Sequence, residues 1–529
     1  MKLGLAQIEV LAGQPDLNAA KILNFIAQAK NQNCDAVIFP VGAISGYFFN
    51  ESPALLREID DYINDIVAAS SNITVIFGDA YNEICAAQNG TWIKTKNLNF
   101  DFQIKSMDSH FAFDEISQRE KFYSGVAAKN NRPLIYVNSV GIQNTGKTVY
   151  TFDGNSKVYN SRGEIVKRLP AFVETLEVID TAEIDNLPAL PAQNEKPVAQ
   201  IYRALNFGVA KFLQQIHMSK IVIGISGGID SAVGAALYTK ILGAENVLLV
   251  NMPSVFNSET TRHLSEQLAK NLGCKYAVVT IQNSVDSTIR QLELTPVTFL
   301  SDGSTEDISI SSFVRENLQA RDRSARVLAT LAAVYGGGFT CNANKAESTI
   351  GYATLYGDCA GVLAATADLW KFQVYELAHY LNEEIYGREA IPQGIIDIVP
   401  SAELSDAQNV DEGKGDPLHY DYHDYLFRAF VEKNLTPEDI LNFYVEKNLE
   451  EKIGCRAGLV QKYFPAPADF IADLEKWWKQ FQGIAVAKRI QAPPLIAVSA
   501  RPFGSFTESQ NTPHFTKKYF ALKNNLIKM

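Results

Sequence analysis

Ser226-Gly227-Gly228-Ile229-Asp230-Ser231 is the segment of this chain whose residue types and spacing can do chemistry. It follows the apolar run 220–225 and precedes Ala232-Val233-Gly234-Ala235-Ala236-Leu237, a pattern of buried strand, tight glycine turn and helix. Such a turn aims backbone N–H groups and the positive end of a helix at an anion. The glycines let a phosphate approach the backbone, Ser226 and Ser231 add hydroxyls, and Asp230 can hold a magnesium ion against the same phosphates. The pattern G-x-x-x-x-G-K-[ST] does not occur here, so this is not the phosphate loop of kinases and GTPases. The chemistry indicated is binding of nucleotide phosphates.

The elements that must position this loop follow from periodicity. Between residues 220 and 380 apolar strands alternate with helical patterns, as in a strand at 246–252, a helix at 258–272 and a strand at 276–280. That alternation predicts a parallel, doubly wound sheet with ligands bound outside the carboxyl ends of its strands. A helix is expected over 202–218, and the proline-rich, polar stretch 181–197 reads as a linker. The chain is therefore expected to divide into domains at 1–180 and 198–529. In the first, strands at 3–9 and 36–39 flank a helix at 18–31 capped by Asn18.

Bulk properties bound the class. With 529 residues, 47% hydrophobic and 20% charged, the chain can build at least two large cores. A net charge of −11 argues against non-specific nucleic-acid binding. The cysteines at 34, 85, 274, 341, 359 and 455 form no C-x-x-C pair and read as reduced thiols, Cys341 as a small buried residue. The start has no signal-peptide pattern, and no run of about 18 apolar residues could span a membrane. The expectation is a cytoplasmic protein without membrane or nucleic-acid partners.

The SGGIDS loop resembles the pyrophosphate loop of the N-type ATP pyrophosphatases. Downstream stand ENLQARDR at 316–323, NKAE at 344–347, GYATLYGD at 351–358, PSAEL at 400–404 and KRIQAPP at 488–494. With these motifs residues 195–505 resemble the NAD⁺ synthetases, specifically the synthetase half of their two-domain, glutamine-dependent form. The resemblance implies a two-step reaction. The nicotinate carboxylate of deamido-NAD⁺ attacks the α-phosphate of ATP, releasing pyrophosphate, and ammonia then displaces AMP from the acyl adenylate.

It also implies roles. Asp230 and Glu347 would be the catalytic magnesium carboxylates. Gly224, Ser226, Gly227, Gly228, Ile229, Asp230, Ser231, Met252 and Ser254 would contact ATP, the co-substrate. Asn317 and Lys488 would hold deamido-NAD⁺, together with Arg321, Glu347 and Asp358. The family's Thr-Thr-Gly before Asn-Lys is here Cys341-Asn342-Ala343, so Asn342 stands at an ATP-contacting threonine, where an amide still forms hydrogen bonds. A homodimer or higher homo-oligomer is implied, and the acidic, tyrosine-rich stretch 411–425 is expected at the surface. Alternatives are another acid amidated through an acyl adenylate, as in GMP synthetase or asparagine synthetase, and a non-catalytic descendant.

Residues 1–180 resemble a shortened nitrilase-type glutaminase domain, through PVGAISGY at 40–47, FDE at 113–115, VNSVG at 137–141 and FDGNS at 152–156. Such a glutaminase needs a cysteine nucleophile, a glutamate base and a lysine. Val41 occupies the glutamate position, no cysteine lies between Gly125 and Arg132, and Lys105 falls near the lysine position. The domain is expected to be an inactive, structural remnant, with ammonia as the nitrogen donor. The alternative is glutamine-derived ammonia from an unrecognised site or a separate glutaminase.

Overall fold

The computed structural model describes residues 1–49, 52–93, 98, 100–506, 508 and 513–528. It contains two compact units, Met1–Phe212 with Ala497–Ala500, and Leu213–Ile496 with Arg501–Met529. The division falls inside the helix Pro197–Gln215, and the expected linker belongs to the first unit. Residues Thr181–Asn186 form a 3₁₀ turn whose Ile184 is fully buried in a core cluster with Leu3, Leu5 and Ile179. Proline content marked an exposed stretch, and one apolar anchor ties it down.

The first unit packs two sheets face to face. One has the order β12-β1-β2-β3-β4-β5, from Thr175–Asp180, Lys2–Gln7, Ala36–Ile38, Thr74–Gly78, Ile84–Gln88 and Thr91–Ile93. The other has the order β11-β10-β7-β6, from Ile165–Arg168, Lys157–Tyr159, Leu134–Asn138 and Gln103–Met107. Leu3, Leu5, Ile38 and Ile76 of one sheet meet Ile135, Val137, Val158 and Val166 of the other. On the first sheet's other face, Ile22, Phe25 and Ile26 of the helix Pro15–Asn31 join Ile59, Ile63 and Ile66 of the helix Pro53–Ala68 over Val37 and Val75. The first of these helices starts at Pro15, whose fixed φ suits a first turn, and Asn18 is not its cap. The buried Asn18 amide donates to the Leu11 and Ile44 carbonyls and pins the segment in front of the helix.

The second unit is built on the expected parallel sheet, in the order β15-β14-β13-β18 from Lys275–Val278, Val247–Asn251, Ile221–Gly224 and Gly338–Phe339. β13 lies inside the sheet, and Ile221, Val222 and Ile223 are fully buried. The helices Ile229–Leu242 and Glu259–Leu272 follow β13 and β14, and the latter is capped by the Ser258 hydroxyl on Thr261 N–H. The second half of this unit is helical.

The stretch 411–425 corrects the expectation of a surface segment. Residues 411–414 are exposed, but Leu418, Tyr422, His423 and Asp424 are buried. Its polar composition conceals the amphipathic start of the helix Tyr420–Val431, which packs Tyr422, Leu426 and Phe427 inward. No helix among the described residues is long and apolar enough to cross a membrane.

Candidate functional site

β13 ends at Gly224 and the chain turns through Gly227 and Gly228 into the helix Ile229–Leu242. Gly227 has φ +88°, and a Cβ there would lie 2.5 Å from the Thr261 carbonyl oxygen, so only glycine fits. Ser226 Oγ accepts from Gly228 N–H at 3.2 Å, and Ser231 Oγ donates to the Gly228 carbonyl at 3.0 Å. The turn is thus preformed, with the positive end of a 14-residue helix at its centre.

Two hollows of about 160 and 240 Å³ meet at this turn and share Ser226, Asp230, Glu347, Tyr352, Asp358 and Ala402. The first adds Gly227, Gly228, Ile229, Lys371 and Asp416. The second adds Gly224, Ser231, Met252, Arg323, Leu328 and Asn342, and so lies at the carboxyl ends of the strands. The first has mixed polar and apolar walls and faces the helix end; the second has an apolar floor.

Asp230 is held from two sides. Asn344 Nδ2 donates to Oδ1 at 3.0 Å, and Lys371 Nζ donates to Oδ2 at 2.5 Å. Asn344 also caps the helix Lys345–Ile350 in a reciprocal box with Glu347: Glu347 N–H donates to Asn344 Oδ1, and Asn344 N–H donates to Glu347 Oε2. The capping box therefore sets Glu347 beside Asp230. Lys371 Nζ lies 3.8 Å from Glu347 Oε1 and joins the two carboxylates. Lys345 is fully buried, paired with Asp368 at 2.8 Å and Glu432 at 3.4 Å, and anchors this helix from behind.

Burial and repulsion from Asp230 push the Glu347 carboxyl up to about 8, and Lys371 offsets part of that rise. Burial opposes the charge on Lys371, but Asp230 and Glu347 outweigh it and hold the ammonium above its ordinary range. Burial raises Asp358, whose Oδ1 accepts Thr354 N–H at 2.6 Å and closes the GYATLYGD turn. Arg323 is buried, which lowers its guanidinium to about 10 against the attraction of Asp358, Asp322 and Glu403. Asn342 Oδ1 accepts from Thr340 Oγ1 at 3.0 Å, which turns its Nδ2 donor away from Thr340.

The donor set fits a hard cation. Two carboxylates stand together, and a lysine ammonium already balances them, which marks the spot as one that favours positive charge. Among the described residues no group of three His, Cys, Asp or Glu could hold a metal alone. A magnesium ion bound by one or two carboxylates, with water and phosphate oxygens completing its shell, has this requirement.

The structure brings together Gly224, Ser226, Gly227, Gly228, Ile229, Asp230, Ser231, Met252, Asn342, Glu347 and Asp358. Four expected residues line neither hollow. Ser254 N–H donates to Asn257 within a turn. Asn317 Nδ2 donates to the Phe313 carbonyl on the helix Ser312–Arg321, and Arg321 Nε donates to the Leu355 carbonyl. Lys488 Nζ donates to the Gly351 and Ala353 carbonyls, pinning the turn after the Glu347 helix. Lys371, Arg323, Tyr352 and Asp416 are wall residues to which the motifs gave no part. Tyr352 donates to Asp416 Oδ1 at 3.0 Å, so the stretch expected at the surface supplies a wall of the site. For Lys371 the signal was a lysine directly after the buried run 363–370.

In the first unit Lys105 is exposed on β6. Burial raises the Cys34 thiol and pushes the Cys85 thiol up to about 12, where Sγ donates to the Phe77 carbonyl. Neither cysteine is a thiolate at neutral pH.

The family model for NAD synthase matches residues 201–458. The glutamine-dependent NAD(+) synthetase of Aquifex aeolicus is 30% identical over 539 residues, covering 83% of this chain and 91% of that protein. The Synechocystis enzyme of the same name is 36% identical over 393 residues, 73% of this chain; the match spans 62% of that relative's length, under two thirds. Among solved structures, the glutamine-dependent NAD⁺ synthetase of Acinetobacter baumannii in complex with ADP covers 97% of this chain and 98% of its own, with a TM-score of 0.64 at 23% identity. That of Cytophaga hutchinsonii covers 99% of both chains with a TM-score of 0.75 at 16% identity. At those identities the likeness is one of fold.

Proposed function

The chain belongs to the NAD(+) synthetase family, and from that membership we propose that it amidates deamido-NAD⁺ at the expense of ATP, releasing AMP and pyrophosphate. The observation that carries this reading is the convergence of Asp230 and Glu347 on the wall shared by the hollow at a helix N-terminus and the more apolar one at the strand ends, with Lys371 reaching both carboxylates from the first hollow.

In this reading the nucleoside of ATP occupies the hollow floored by Met252 and Leu328, and its phosphates cross the Ser226–Ser231 turn. Backbone N–H groups and the helix end stabilise the triphosphate, and Lys371 supplies a fixed positive charge. Asp230 and Glu347 would hold a magnesium ion, which neutralises the charge of the departing pyrophosphate. The nicotinate carboxylate oxygen forms a bond to the α-phosphorus as the bond to the bridging oxygen of pyrophosphate breaks. Ammonia then adds to the acyl carbon, loses a proton, and AMP leaves. Asp358, which lines both hollows as Tyr352 does, is assigned to deamido-NAD⁺. Asn317, Arg321 and Lys488 keep that assignment in a homodimer, where a partner copy would bring further surface to the helix Ser312–Arg321.

Ammonia is the proposed nitrogen donor, although the relatives are called glutamine-dependent. Val41 cannot accept a proton, the two cysteines of the first unit stay protonated, and Lys105 faces solvent. A cytoplasmic location agrees with free thiols throughout the described residues. The test is incubation of purified protein with ATP, magnesium and deamido-NAD⁺, offering ammonium or glutamine. NAD⁺ formed with ammonium supports the reading, and failure with both sinks it.

A further inference from the structure

A third hollow, of about 250 Å³, opens in the second unit against the helices Tyr420–Val431, Pro467–Gln482 and Ile484–Gln491. It shares no lining residue with the nucleotide hollows. Its walls are mixed: Phe430, Trp478, Phe481, Val486 and Phe506 stand beside the polar Asn434, Thr436 and Gln482. Three charged side chains face it, Arg489, Arg501 and Glu508.

The two arginines differ in one respect. Arg489 is fully engaged: Nε pairs with Glu508 at 2.5 Å, and its other nitrogens donate to the Ser348, Thr349 and Phe481 carbonyls. Glu508 cancels its charge. Arg501 has a buried Nε with no hydrogen-bond partner, and its guanidinium rests 4.7 Å from the centre of the Phe506 ring. A buried donor left unpaired carries its desolvation cost, so this arginine is maintained at a penalty in the ligand-free state. Its planar fork matches a carboxylate, and its stacking on Phe506 fixes the plane in which a ligand would lie.

We infer that this hollow binds a small aromatic carboxylate, its carboxylate on Arg501 and its ring against the edges that Phe430, Trp478 and Phe481 present to the hollow. One uncancelled positive charge suits a monoanion and not a phosphate dianion. The volume lies under the roughly 300–1,000 Å³ of pockets for drug-sized ligands, which restricts the guest to a single ring system. Phe430, Trp478 and Phe481 pack on one another and offer edge contacts to that ring.

The full chain is titrated with benzoate, followed by calorimetry and by quenching of Trp478 fluorescence, with Trp478→Phe identifying that signal. Saturable binding is expected, weakened at least about tenfold in Arg501→Gln and less in Arg501→Lys. The neutral isostere benzamide should not bind. Absence of benzoate binding, equal binding to Arg501→Gln (which would place benzoate elsewhere, the nucleotide hollows included), or equal binding of benzamide overturns the site. Inorganic phosphate binding more tightly than benzoate overturns the ligand class. Should Arg501→Gln not fold, the benzamide and phosphate titrations of the unaltered protein decide.

Discussion

Lys371 Nζ lies 2.5 Å from Asp230 Oδ2, a buried ion pair between residues 141 positions apart in sequence. Asp230 is the second residue of the helix after the glycine turn, and Lys371 is the first residue of the helix Lys371–Tyr380. Their pairing, with Glu347 beside them, makes the carboxylate pair tolerable in the absence of any ligand. It also gives the site a cation of its own.

Replacing Lys371 by Met should leave Asp230 and Glu347, both partly buried, without their cation and destabilise the protein by about 3 kcal/mol. Magnesium should recover part of that loss, because a divalent ion can take over the neutralising role. Thermal melts with and without magnesium measure both effects. A variant as stable as the parent in chelator would show that the pair carries little stability.

Asp230→Ala should lower ATP–pyrophosphate exchange on the order of 10³-fold or more, since charge neutralisation at the departing pyrophosphate is lost. The fold should persist at reduced stability, because the side chain faces the hollows and Lys371 keeps Glu347 as a partner. Near-normal exchange in the variant would remove Asp230 from the mechanism.

Ammonium should support NAD⁺ formation and glutamine should not. A glutaminase of the nitrilase type needs a thiolate and a base, and here Val41 and the protonated Cys34 and Cys85 offer neither. Amide-labelled glutamine with purified protein provides the measurement. Label appearing in NAD⁺, blocked by a thiol-directed glutamine analogue that marks a cysteine of this chain, would contradict the assignment.

Asp108 predicts a pH dependence of stability. It is buried at the end of β6, its oxygens make no well-formed hydrogen bond, and a Cβ on Gly42 would lie 2.1 Å from Oδ2. Burial pushes its carboxyl up to about 7; Ser139 and the Gly42 N–H beside it offset only part of that. The folded form prefers the proton more than the unfolded chain does. The resulting stability is complete below the ordinary carboxyl range and is lost as pH rises through about 7. From pH 5 to 8 the loss is on the order of 2–3 kcal/mol, and Asp108→Asn should abolish it. Urea denaturation at the two pH values checks this, and an equal decline in parent and variant would assign the effect to other groups.

The sequence by itself determined the glycine turn, the parallel sheet and most of the expected residues that line the two hollows. These rest on short-range rules: an apolar run makes a buried strand, Gly227 must adopt a positive φ, and Asn344 with Glu347 three residues later forms a capping box. The expectation of an inactive amidase domain also rests on residue type, on Val41 and the missing cysteine.

Tertiary structure decided what depends on distant segments meeting. Lys371 reaches Asp230 only when two helices pack, Asp416 joins the wall only because Tyr352 bonds it, and a polar stretch became a buried helix by turning one face inward. Lys488 and Lys345 were equal as basic residues in motifs, yet one pins a turn and the other lies fully buried in an ion pair. Such partners differ in burial and desolvation, and those are properties of the packed chain that no local spacing encodes.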